Sequence, residues 1–78
     1  MWRVDVPLAL KVAVTRWLRS DADRILAALR EMRDDPFAGE LYMIDVDSYY
    51  RVVDGYLIFF DVAPREHTVK VTAIVRPH

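Results

Sequence analysis

The apolar residues of this chain change their period once, at Asp34-Asp35-Pro36, and that break constrains the fold more than any other feature. Before it, Leu10, Val14, Trp17 and Leu18, and then Ile25, Leu29 and Met32, recur at helical spacing. Beyond Phe37-Ala38-Gly39, β-branched and aromatic residues take over with a period of two. Residues 2–6 also alternate and stop at Pro7, which predicts a short first strand. The fold class expected from this pattern is α+β, with helices packed on a sheet.

The local signals place the elements. Pro7 suits the first position of a helix, where its missing N–H costs nothing, so a first helix is expected over residues 7–19. Ser20 reads as an N-cap, and Asp21 and Asp23 fall on the positive end of a second helix over residues 21–34. That helix should stop before Pro36, because the residue preceding a proline avoids the helical region. The short break at Ser20 makes the two helices an antiparallel hairpin. Residues 49–53 and 56–62 flank Asp54-Gly55, a strong hairpin signal. Residues 63–67 form a second turn, and residues 68–75 a last strand, with Val69, Val71, Ala73 and Val75 on one face and Thr68, Lys70, Thr72 and Ile74 on the other. The expected order is β-α-α-β-β-β, a helical hairpin on a mainly antiparallel sheet, as one domain over residues 1–78. Its core should hold Leu10, Val14, Trp17, Ile25, Leu29, Tyr56, Ile58, Phe60, Val69 and Val71.

Two hairpin registers compete. A two-residue turn pairs Val53 with Tyr56 and puts Arg51 on the face of Tyr56, Ile58 and Phe60. A three-residue loop pairs Val52 with Tyr56, so that Tyr50, Val52, Tyr56, Ile58 and Phe60 share the packed face. Tyr49, Arg51, Leu57, Phe59 and Asp61 then share the other. The second register keeps a charge out of the core and is the expected one.

Composition narrows the function classes. The chain has 78 residues and no cysteine, which excludes a disulfide scaffold and a cysteine-based zinc site. No apolar run exceeds five residues, too short for a membrane helix or a secretory leader, so the chain is expected to be soluble and cytoplasmic. The net charge of −1 gives no global electrostatic case for nucleic acid. Charge is segregated, however. Residues 1–33 carry seven cations against four anions, whereas residues 34–62 carry Arg51 alone against seven anions.

Arg24-Ile25-Leu26-Ala27-Ala28-Leu29, then Asp35-Pro36-Phe37, then Tyr50-Arg51-Val52, Gly55-Tyr56 and a closing valine-rich strand resemble the RelE/ParE toxin superfamily. The resemblance spans nearly the whole chain. It implies the toxin of a type II toxin–antitoxin pair, held in a hetero-oligomer with a small cognate antitoxin. The function it implies first is that of a RelE-type member, which cuts mRNA in the ribosomal A site without a metal or other cofactor, here with an incomplete catalytic set. The alternative is a toxin-fold protein that acts by binding, either as ParE-type members poison DNA gyrase or as a catalytically weak partner of its antitoxin. Metal-free RNA cleavage needs a base for the 2′-hydroxyl, a cation at the phosphorane and an acid for the leaving oxygen. The resemblance assigns catalytic positions to Arg51, to Arg76 in the C-terminal basic region, to Glu40 where some members carry a carboxylate, and to His78 at the end of the chain. The chain departs from the pattern at Val53 and Leu57, where the family has basic residues, and at Pro77. In the expected register Tyr49, Leu57, Phe59 and Ile74 form an apolar patch on the sheet face away from the helices. Such a patch suits antitoxin docking by an amphipathic helix or an added strand.

Overall fold

The computed structural model describes residues 1–17 and 19–77, with Trp17 and Arg19 described by backbone alone. The expected core position of Trp17 therefore lies outside the described side chains. The elements are β1 (Arg3–Asp5), α1 (Leu8–Trp17), α2 (Ala22–Glu31), β2 (Glu40–Asp45), β3 (Ser48–Val53), β4 (Tyr56–Ala63) and β5 (Thr68–Val75). Short 3-10 turns occupy Arg19–Asp21 and Pro64–Glu66. The architecture is α+β, with two helices on one face of a five-stranded mixed sheet of order β1-β5-β4-β3-β2. β1 runs parallel to β5, and the other neighbours are antiparallel.

The structure adds one strand to the predicted order. Residues 40–45, Glu-Leu-Tyr-Met-Ile-Asp, hold a single β-branched residue, so local propensity is weak, and β2 exists because it pairs with β3. Its last turn of alternation is also broken, since Ile44 is an extra residue between Met43, opposite Tyr49, and Asp45, opposite Ser48.

The helix ends differ from expectation as well. α2 closes at Glu31, three residues early, because the amides of Asp34 and Asp35 both return to the Glu31 carbonyl at 3.0 Å. Ser20 does not cap it. The chain enters through the 3-10 turn, and Asp21 stands at the N-cap with helical dihedrals and no side-chain capping bond. The Asp21 carboxylate is committed elsewhere, accepting the Tyr56 hydroxyl of β4 at 2.8 Å.

Burial on β4 alternates without a break from Tyr56 to Phe60, which places Tyr56, Ile58 and Phe60 against the helices. Val14 of α1 and Ile25, Leu29 and Met32 from α2 and its end meet them, with Val69 and Val71 from β5. Every expected core residue with a described side chain is buried except Leu10, which is half-buried and packs on the cluster. Each large aliphatic or aromatic side chain so buried contributes about 1.5–3 kcal/mol.

The hairpin register overturns the expected one. Val53 pairs with Tyr56, Arg51 with Ile58 and Tyr49 with Phe60. Asp54 and Gly55 both have positive φ, 50° and 82°, as a two-residue turn that follows the right-handed twist of the strands requires. Arg51 and Tyr49 thus lie on the helix side, and Tyr50, Val52, Leu57 and Phe59 on the other. A second correction concerns β5. Phe59 pairs with Ala73 but Phe60 with Val71, so Thr72 is a bulge residue, and its hydroxyl donates to the Phe59 carbonyl at 3.3 Å. A bulge reverses which side chains face which way beyond it. Ile74 consequently turns to the core opposite Ile58, while Ala73 and Val75 join the outer face.

Candidate functional site

The outer sheet face carries a cluster of apolar side chains not packed on the helices. Tyr42 of β2 stacks on Tyr50 of β3 at 5.1 Å, and Tyr50 meets Phe59 of β4 at 5.4 Å. This aromatic row crosses three strands because the register puts Tyr42 opposite Tyr50 and Tyr50 opposite Phe59. Val52 and Leu57 form a second cross-strand pair beside it, and Leu57 continues to Val75 of β5. All of these side chains are half-buried or exposed, and on β4 they alternate with buried neighbours. The polar rim is acidic on the β2 side, where Glu40 stands opposite Val52. Asp61 accepts the Ser48 hydroxyl at 2.7 Å at the other end of β3.

Of the four residues expected to make a docking patch, Leu57 and Phe59 lie on this face. Tyr49 and Ile74 do not: Tyr49 stacks on Phe60 at 5.8 Å and meets Phe37 edge-on, and Ile74 packs on the core. Tyr42, Tyr50, Val52 and Val75 take their place. Asp54-Gly55 bears on two of them, since the two-residue turn it also allows puts Tyr50 and Val52 on this face, whereas Tyr42 and Val75 are placed by the β2–β3 pairing and the bulge at Thr72.

The expected catalytic residues are not gathered. Arg51 is 9% exposed on the helix side. Its Nη2 donates to Glu31 Oε2 at 2.7 Å and its Nη1 to the Ala28 carbonyl at 3.5 Å, while its Nε is buried with no partner. Gly39 makes room for this guanidinium: a Cβ there would lie 2.7 Å from Arg51 Nε. Arg76 is exposed and stands 5.4 Å over the Tyr56 ring, whose hydroxyl bonds Asp21. Arg51 is thus held at the C-terminal end of α2, and Tyr56, beneath Arg76, is tied to its N-terminal end. At 1.5 Å per residue those ends are about 15 Å apart. Glu40 belongs to the opposite face of the sheet from Arg51. His78 lies outside the described residues.

The Tyr56 phenol is raised above its usual value of 10.0, first by its hydrogen bond to Asp21, then by burial and by the Asp21 charge. Arg76 opposes these effects without reversing them. Among the described residues no group of three or more His, Asp or Glu side chains converges as metal ligands would. No described helix is long and apolar enough to cross a membrane. No protein-family model matches the chain, and none of the curated proteins compared with it matches either.

Proposed function

We propose that this chain is a cytoplasmic RelE/ParE-type toxin-fold protein that works by binding another protein, its cognate antitoxin, across the outer face of the sheet. The family assignment rests on the sequence motifs. The single observation that supports binding over RNA cleavage is the exchange of roles between the two faces: Arg51 is spent on Glu31 and the Ala28 carbonyl, and the face opposite offers Tyr50, Leu57 and Phe59. A phosphate-binding surface needs free cations, whereas residues 40–50 contain three acids and no cation. A row of aromatic and aliphatic side chains with a polar rim has the composition of a protein-docking centre.

The test is a calorimetric titration with the small protein encoded beside its gene. Leu57→Asp and Phe59→Asp should each weaken binding by ~30-fold or more, the loss expected at an interface hot spot. Arg16→Asp, on the exposed side of α1, should leave it unchanged. Equal affinities for all three variants would move the docking surface elsewhere. Cleaved mRNA on primer extension after induction, lost with Arg76→Ala, would favour the nuclease reading instead.

A further inference from the structure

The two free edges of the sheet differ in chemistry. Beside β1, the chain from Val4 to Val6 and the two helices enclose a hollow of about 270 Å³. Its floor is apolar, from Val4, Val6, Leu26 and Leu29. Its rim carries Lys11, Arg30 and Arg33, all exposed, and no acid lines it. Among the described residues none of these three cations is in an ion pair. A second hollow shares Val4, Val6 and Lys11 and adds Lys70. Its one acid, Asp5, is already bound to Arg3 at 2.9 Å.

The β2 edge is the complement. The β2–β3 turn is Val46-Asp47, closed by the pairing of Asp45 with Ser48, and Asp47 holds a φ of 61°. Val46 is 80% exposed between two aspartates, and Met43 and Ile44 before it are 67% and 55% exposed. Turn positions ordinarily go to Gly, Asn, Asp, Ser or Pro, so an outward valine at the tip has no local reason.

We propose that the Asp45-Val46-Asp47 tip of one copy docks into the β1-side hollow of a second copy, with Val46 on the apolar floor and the two aspartates among Lys11, Arg30 and Arg33. The hollow between β1 and the helices, about 270 Å³, suits one or two branched side chains. The tip cannot reach the hollow of its own chain. β1 and β2 are opposite edges of a five-stranded sheet, and four strand spacings separate them by roughly 19 Å. The contact is head-to-tail, so it closes into a ring or extends as a chain rather than forming a two-fold dimer. It uses neither Leu57 nor Phe59 and stands apart from the docking of a partner on the outer face.

Sedimentation equilibrium of the full chain over a concentration series tests it. The mean mass should rise with concentration at low salt and fall back toward one chain at about 1 M salt, where charges are screened beyond ~3 Å. Val46→Lys, a tip variant, and the double substitution Lys11→Glu with Arg30→Glu, a hollow variant, should each weaken self-association by about tenfold or more. Mixing the two restores one good tip and one good hollow, so the mixture should form a complex that stops at two chains. If circular dichroism shows either variant unfolded, Met43→Lys and Arg33→Glu replace them. A wild-type chain that stays monomeric throughout would overturn the proposal. So would assembly that survives Val46→Lys, which would point to pairing of β2 edges, or a mixture no heavier than its parts.

Discussion

A guanidinium on the packed side of a sheet is costly unless its donors find acceptors, and Arg51 meets that demand only in part. Nη2 has Glu31, Nη1 has a long bond to Ala28, and Nε has nothing. Breaking a buried pair by removing one partner is harmful, whereas replacing a buried ion with a packed apolar side chain is often neutral or favourable. Glu31 is itself 59% exposed, which screens the pair and lowers its worth. Urea titration should therefore find Glu31→Ala destabilised by about 1–2 kcal/mol, with Arg51→Met near wild type or above it. The reverse order would mean that the charge of Arg51 is needed for the fold itself. At this scale the sequence misleads. Keeping Arg51 out of the core is sound reasoning from one strand, and the compensating acid sits twenty residues earlier on a helix.

At the scale of elements, two glycines separate backbone geometry from packing. Gly39 and Gly55 share a φ of 82°, a conformation that side chains with a Cβ adopt at a cost. Nothing lies within 4 Å of a Cβ built on Gly55, so Gly55→Ala carries the conformational cost alone, about 1 kcal/mol. In a domain of this size that lowers Tm by ~4–8 °C. Gly39→Ala adds a clash at 2.7 Å with Arg51 Nε, so it should lower Tm further and loosen the Arg51–Glu31 pair. Equal melting shifts for the two variants would show that the guanidinium yields freely. The two helices and the β4 core stripe are legible from periodicity, since Val14, Ile25, Leu29, Tyr56, Ile58 and Phe60 all pack inward. β2 and the faces of Tyr49 and Ile74 are not. Those depend on strand pairing and on the bulge at Thr72, which no local pattern encodes.

For the whole molecule, the Tyr56–Asp21 bond ties the sheet to the start of α2, and Arg24 to Asp54 at 3.4 Å ties the same helix to the hairpin turn. The raised Tyr56 pKa turns the first tie into an alkaline sensitivity. The neutral phenol is favoured in the folded chain, so its contribution is complete below the ordinary value of 10.0 and is lost as pH climbs through the raised one. The phenol transition that Tyr56→Phe removes from an ultraviolet titration should lie above 10.0, and the same substitution should remove part of the alkaline loss of stability. A Tyr56 transition at or below 10.0 would contradict the bond. The sequence by itself determined the α+β class, the two helices, the place of the hairpin at Asp54-Gly55 and most of the core, because those follow from periodicity and turn chemistry within a few residues. Only the tertiary structure decided which face Arg51 joins, that residues 40–45 become an edge strand, and which aromatic residues line the outer face. Each of those depends on a partner distant in the chain: Glu31 for Arg51, β3 for β2, and the cross-strand register for the row of Tyr42, Tyr50 and Phe59.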